Sequence, residues 1–467
     1  MPPTIRLDDL LAATGGRLLR PTSVSTFTGA SVDSRRVSPG SCYVALRGER
    51  VDGHDFVQEA LIGGAAAALV ERPVELPIDL DRAIIVVDDS VAALGAIAGW
   101  WRQQHDVRVV GITGSTGKTI AKEITADMLS RKVRTLRSEG NLNSETGLPI
   151  TLLRLEPDDE AAVLEMSMYT VGEIAHLARI AGPEVGVVLA VHPTHLERAG
   201  SIERIAEAKS ELPRGLPSDG LAVLNADDAR VAAMSELTPA TVRTFGLSAG
   251  ADVTAAAIES HGLDGTTFDL RTPWGARRVT HAMPGRHLVR HALAAAAVSE
   301  RFDMTLDDVA ASLEAGSHAP HRMNVLASSG GARVVDDTYN ASPVSVAGAL
   351  DFLAETSVQP GRRRIVVLGD MLELGPREEL LHREAGAHAA RVADAIVTVG
   401  ERGRWIAEGA RASGSARVVE AEDAAEAAEL LESALAPRAG DLVLVKASRG
   451  IGLERTVEML TGEGAAT

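Results

Sequence analysis

Short, near-continuous apolar runs recur along this chain, with stretches of helical period between them. The runs are Ala83–Val87, Val107–Ile112, Ala161–Glu165, Gly186–Val191, Arg333–Asp336, Arg364–Leu368, Ala395–Val399 and Leu442–Val445. A strand apolar on both sides of its pleat needs cover on both faces, which helices supply in doubly wound parallel sheets. Ile120, Ile124 and Met128 recur at i, i+4 and i+8, and Ile174, Leu177 and Ile180 at i, i+3 and i+6, each set marking one helix face. The pattern predicts an α/β protein. Ala251–Thr280 differs, because it alternates and carries Gly and Pro-Trp-Gly turns, so it reads as an antiparallel hairpin region. A length of 467 residues allows for about three domains. One seam falls near Gln103–Asp106, after a helix carrying Trp100 and Trp101 that packs the boundary, and another near Gly316–His321. The expected domains are 1–105, 106–320 and 321–467.

Charge and cysteine usage remove several classes of function. Asp and Glu number 64 against 47 Lys and Arg, a net charge of −17. Such a chain is repelled by nucleic acid and by anionic membranes, so neither is an expected partner. Cys42 stands alone, which excludes an intrachain disulfide and a multi-cysteine metal site and points to a reducing cytoplasm. Asp8 and Asp9 stand where a secretory leader has a basic start and an apolar core. The longest apolar stretches, such as Ala65–Val70, fall far short of the roughly 20 residues that span a bilayer. Membrane insertion is therefore not expected.

The strongest local motif is Gly111-Ile112-Thr113-Gly114-Ser115-Thr116-Gly117-Lys118-Thr119, where an apolar strand runs through a Gly-rich turn into an amphipathic helix. Glycines let backbone N–H groups point at phosphate oxygens, and the helix N-terminus adds partial positive charge. Lys118 reaches terminal phosphates and the Thr119 hydroxyl suits Mg²⁺. Ile112 stands where the common phosphate-loop pattern opens with a small residue, but the Gly-x-x-Gly-Lys-Thr core is intact. ATP is the expected ligand. Catalytic partners belong at later strand ends, since parallel sheets bind ligands there. Glu165, His195 and Lys209 are the candidates, although each alone also reads as a cap, an exposed loop residue or a solvated helix lysine.

Taken together, these motifs resemble the Mur ligases, almost from end to end. The N-terminal pieces are Val32-Asp33-Ser34-Arg35-Arg36 and Asp52-Gly53-His54. The middle pieces are the Gly-rich turn, Glu139-Gly140-Asn141-Leu142-Asn143, Leu164-Glu165-Met166 and Leu224-Asn225-Ala226-Asp227-Asp228. The most discriminating lie near the C-terminus, in Asp336-Asp337-Thr338-Tyr339-Asn340, Gly369-Asp370-Met371-Leu372-Glu373-Leu374-Gly375 and Lys446-Ala447-Ser448-Arg449-Gly450.

The resemblance implies three domains: a small N-terminal α/β domain binding a uridine-nucleotide substrate, a central P-loop parallel-sheet ATPase domain with the added hairpin region, and a C-terminal Rossmann-like α/β domain for the incoming amine. It implies amide ligation driven by ATP through an acyl phosphate. The implied partners are UDP-N-acetylmuramoyl-tripeptide and D-alanyl-D-alanine, with the oligomeric state open and a monomer favoured. Ser34, Arg35, Asn141 and Asn143 would bind the peptide substrate. Thr113, Gly114, Ser115, Thr116, Gly117, Lys118, Thr119, His291, Arg322, Asp337 and Asn340 would hold ATP. Lys118, Glu165, His195, Lys209 and Arg322 would be catalytic; Thr119, Glu165, His195 and Lys209 would surround Mg²⁺, with Lys209 carbamoylated.

Departures from the family pattern keep a second reading open. Ile120-Ala121, Ser144, Ser167 and the Ala190–Thr194 turn differ from it, and His291 replaces an asparagine. An imidazole lacks the amide's donor–acceptor fork. A paralogue with another amine acceptor, or a non-catalytic nucleotide binder, would carry such changes. Elsewhere, His192 and His195 lack a third clustered ligand for zinc. His318 and His321 read as exposed loop residues, and Glu420–Glu432 as a solvated acidic helix.

Overall fold

The structure, a computed structural model, describes residues 4–48, 51–75, 80–193, 199–317, 319–414 and 416–462. Three main sheets are laid out along the chain. The N-terminal sheet has five strands, with the parallel run Ala30–Ser31, Cys42–Val44, Ala67–Val70 and Ala83–Val86 closed by antiparallel Arg17–Leu18. A separate two-stranded ladder joins Ile5–Arg6 to Thr26–Phe27. The Cys42 thiol is buried, and desolvation pushes it up to about 12, so it remains a thiol.

The central sheet has nine strands. Its buried middle is Val185–Val188, Arg108–Thr113 and Ala161–Glu165, parallel and in register, with Leu164 beside Gly111 and Val187 beside Ile112. The C-terminal sheet has six strands, parallel except for the edge strand Asn324–Ala327. In both sheets the middle strands are buried apart from the leading Arg108 and Arg364, the mark of strands covered on two faces.

Helix Val289–Ser299 explains how the centre closes. Ala292, Ala294, Ala295, Ala296 and Ala297 are all buried, and these short side chains let it lie close against Lys118–Ser130. The seam near residue 105 is stitched by side chains: Trp101 Nε1 donates to the Leu155 carbonyl at 3.2 Å, and Arg102 Nε to the Ala181 carbonyl at 2.9 Å.

Several elements differ from the sequence expectation. The hairpin region is a three-stranded meander, Val253–Ser260, Thr266–Thr272 and Gly275–His281, whose first strand joins the main sheet in parallel beside Thr241–Gly246. The strand expected over Gly186–Val191 is Val185–Val188. It stops there because the next backbone groups turn onto the Gly-rich loop, with the Ala190 carbonyl accepting from the Ser115 N–H at 2.9 Å. Glu420 lies in the strand Arg417–Ala421, and the helix starts only at Ala424, where Asp423 accepts from the Ala425 and Glu426 N–H groups. His321 does lie in a turn with a partly exposed side chain, and its Nδ1 meets Asp336 Oδ2 at 2.8 Å, at a backbone φ of 58°. His318 lies outside the described residues.

Candidate active site

An open cleft of about 930 Å³ lies where the central sheet's strand ends face the C-terminal sheet. The Gly-rich turn forms its floor. Gly117 has φ 80°, a left-handed conformation suited to glycine, and a Cβ there would stand 2.0 Å from His291 Nε2. The turn therefore needs glycine for conformation and for space. Lys118 opens the helix and folds back to donate to the Gly114 carbonyl at 3.0 Å. Burial and the nearby Arg322 cation lower its ammonium, and Glu165 acts in the opposite direction.

Thr119 and Glu165 meet at the centre. Thr119 Oγ1 donates to Glu165 Oε2 at 2.8 Å, and Asn143 Nδ2 donates to Glu165 Oε1 at 2.8 Å. Arg322 reaches over from the far side of the cleft, and its Nη2 donates to Thr119 Oγ1 at 2.8 Å. The Arg322 guanidinium lies 4.1 Å from the Tyr339 ring centre, and Arg449 stacks on the same ring at 5.3 Å. Three separated segments thus converge on one buried carboxylate, two directly and Arg322 through Thr119.

Lys209 lies on helix Ile202–Arg214, which begins where Ser201 accepts from the Arg204 N–H. Its side chain is buried, and desolvation, with the Lys118 cation beside it, lowers its ammonium well below the usual 10.5. Both effects favour the neutral amine, the form that acts as a nucleophile. His291 is also buried, its Nδ1 has no hydrogen-bond partner among the described residues, and desolvation pushes it down to about 3. It is a neutral imidazole in the cleft wall.

The remaining candidates divide. Ser115, Thr116, Asn141, Asn340 and Asp337 line the cleft. Asp337 is already paired, since Lys446 Nζ meets its Oδ2 at 2.6 Å and also donates to the Asn340 carbonyl at 2.9 Å. Thr113 departs from the expected cradle: it is fully buried at the strand end and its hydroxyl faces the interior without a partner among the described residues. Gly114 contributes its carbonyl to Lys118 and does not line the cleft. Ser34 and Arg35 lie outside the cleft on the short turn Ser34–Arg36, where Arg35 forks onto Asp33 at 2.9 and 2.8 Å. His195 lies outside the described residues.

Among the departing residues, Ser167 lines the cleft and its N–H donates to the Asn143 carbonyl at 3.0 Å. Ser144 Oγ accepts from the Gly147 N–H at 3.3 Å, and Ile120 is core. Sequence reasoning assigned no role to Tyr339 or Lys446, although both fall in motifs it singled out. It passed over Lys122, a charged residue on the inward face of an amphipathic helix.

Three family models match the chain: the Mur ligase family, catalytic domain over residues 26–101; the Mur ligase middle domain over 112–299; and the Mur ligase, glutamate ligase domain over 321–449. The chain is 39% identical over 445 residues to the UDP-N-acetylmuramoyl-tripeptide–D-alanyl-D-alanine ligase of Escherichia coli K12, covering 94% of this chain and 95% of that one. A crystal structure of MurF from Acinetobacter baumannii superposes with a TM-score of 0.87 at 31% identity, covering 98% and 99%. The MurF ligase of Thermotoga maritima in complex with ADP superposes at 0.79 and 32%, covering 93% and 97%.

Proposed function

The chain belongs to the Mur ligase family, and from that premise we infer the work of each group in its cleft. It is an ATP-dependent ligase that joins D-alanyl-D-alanine to UDP-N-acetylmuramoyl-tripeptide in peptidoglycan precursor synthesis. It binds a nucleotide, as its ADP-complexed relative does. The observation carrying the residue assignments is the convergence of Thr119 and Asn143 on Glu165 beside the Gly-rich turn, with Arg322 donating to Thr119 from across the cleft.

A carboxylate is a poor acylating agent, and ATP activates it as an acyl phosphate. Both reactants are anions, so their approach needs fixed positive charge. Lys118 and Arg322 supply it from opposite sides of the cleft. Thr119 and Glu165 offer the hard oxygen donors that suit Mg²⁺. Lys209 is the residue to carry a carbamate here: its nitrogen would bond the carbon of carbon dioxide and lose a proton to water, and the resulting anion would offset the Lys118 charge. When bound, Mg²⁺ would neutralise phosphate charge. The dipeptide amine then attacks the acyl phosphate, and phosphate leaves. Arg322 and Tyr339 stack together on the C-terminal side of the cleft, where they would help shield the acyl phosphate from water.

Residues 1–105, with Ser34 and Arg35, take the uridine diphosphate end; 106–320 take ATP; 321–467 take the amine. The enzyme works in the cytoplasm, a reading supported by its single thiol; among the described residues no helix is long and apolar enough to cross a membrane. The test is Lys118→Ala, which should lower ATP turnover by about 100-fold or more. Turnover at the parent rate would refute the assignment of the Gly-rich turn.

A further inference from the structure

Lys122 is fully buried on the helix that follows the Gly-rich turn, three residues beyond Thr119. Residues at this spacing share a helix face. The Lys122 ammonium lies 2.5 Å from Glu123 Oε1 and donates to the Ser138 carbonyl at 2.6 Å. Glu123 is already held by Arg137, whose Nη1 donates to its Oε2 at 2.9 Å and to Asp127 Oδ1 at 2.6 Å.

Ser138 follows Thr135–Arg137, an edge strand of the central sheet. Its N–H continues the ladder to the Val163 carbonyl at 3.1 Å, and its own carbonyl accepts from Lys122 Nζ at 2.6 Å. Ser138 Oγ in turn accepts from the Glu165 N–H at 3.2 Å. Residues 139–143 then lead to Asn143, which holds the Glu165 carboxylate. Removing one partner of a buried ion pair is destabilising, but Glu123 keeps Arg137 as its counter-ion when Lys122 is replaced. An apolar side chain at 122 could fill the space, but could not hold the Ser138 carbonyl.

We propose that Lys122 is a positioning residue for the ligase reaction: through Ser138 it fixes the backbone of Glu165 and the start of the loop carrying Asn143, and so sets how well the site uses Mg²⁺. The proposal rests on the assignment of Glu165 to the metal given above. Removing outer groups that orient a metal ligand weakens metal affinity about 10- to 100-fold.

The experiment compares the parent protein with Lys122→Met, Lys122→Arg and Ser138→Ala. Three quantities are measured: the Mg²⁺ concentration at half-maximal phosphate release, the gain in affinity for a non-hydrolysable ATP analogue on adding Mg²⁺ (by calorimetry), and the thermal midpoint. Lys122→Met and Ser138→Ala should each raise the Mg²⁺ midpoint about tenfold and reduce the calorimetric gain, with KM for D-alanyl-D-alanine unchanged. Lys122→Arg should recover part of both. Folded Lys122→Met or Ser138→Ala protein with the parent Mg²⁺ midpoint and parent calorimetric gain would overturn the proposal. If Lys122→Met does not fold, Lys122→Arg decides in its place, because Ser138→Ala keeps the carbonyl that Lys122 holds: folded Lys122→Arg protein with the parent Mg²⁺ midpoint and parent calorimetric gain would overturn the proposal. A parent protein that binds the analogue equally with and without Mg²⁺ would instead refute the metal assignment, and this proposal with it.

Discussion

His281 is fully buried at the end of Gly275–His281, an edge strand of the central sheet, and neither ring nitrogen has a hydrogen-bond partner among the described residues. Desolvation moves it from the ordinary 6.5 down to about 4, only partly offset by the nearby Leu313 backbone. The unfolded chain therefore binds the proton first as pH falls. The stability tied to His281 is complete above pH 6.5 and is lost progressively between 6.5 and about 4. Weighting both states by their protonation, the loss at pH 5 relative to pH 8 is about 2 kcal/mol. His287, down to about 4, and His291, down to about 3, have the same sign. The three together remove about 6 kcal/mol at pH 5, a large part of an ordinary folding stability of roughly 5–15 kcal/mol. His281→Leu deletes one titration and keeps the side chain apolar and of similar size. Urea unfolding followed by tryptophan fluorescence, on parent and variant at pH 8 and pH 5, reads the effect. The variant should gain about 2 kcal/mol on the parent between the two conditions, whatever its offset at pH 8. An equal loss in both proteins would refute the reasoning.

Three further perturbations address the cleft. Gly117→Ala places a Cβ 2.0 Å from His291 Nε2 at φ 80°; ATP affinity measured by calorimetry should fall at least about tenfold, and adding His291→Ala should recover only the steric part. Lys209→Ala should lower turnover by about 100-fold, with partial rescue by added short carboxylic acids; undiminished activity would remove the carbamate. Arg322→Ala deletes the cation that reaches Thr119 from across the cleft, and steady-state kinetics should show kcat falling by about 100-fold, more than KM for ATP rises.

Much of this architecture was legible because both-faced burial writes itself into the sequence as continuous apolar runs. Ala161–Glu165 and Ala395–Val399 form strands with the predicted limits. Leu221–Asn225 and Thr241–Gly246 were not singled out; the first passes directly into polar residues, and the second alternates with Thr and Arg. The Gly-rich turn was legible because its chemistry is local. The clamp of Arg322 and Tyr339 was not, because it depends on two sheets facing each other across the cleft. Resemblance brought Arg322 and Asp337 forward, but only coordinates pair Asp337 with Lys446 and turn Thr113 inward. Lys122 was invisible for a related reason: a lysine in a helix reads as solvated until a neighbouring edge strand gives its ammonium a carbonyl.

The departures at Ile120, Ser144, Ser167 and His291 leave the central constellation in place. Ile120 packs in the core, Ser144 caps a turn, and Ser167 and His291 line the cleft without displacing Thr119, Asn143 or Glu165. That arrangement favours a working ligase over a non-catalytic nucleotide binder.

The most direct measurement is phosphate release from ATP and Mg²⁺ by the purified protein, given UDP-N-acetylmuramoyl-tripeptide with and without D-alanyl-D-alanine, with the product identified by mass. The expected result is release that requires both substrates and yields the UDP-linked pentapeptide. ATP binding without release, or release that ignores the dipeptide, would contradict the ligase reading of this cleft.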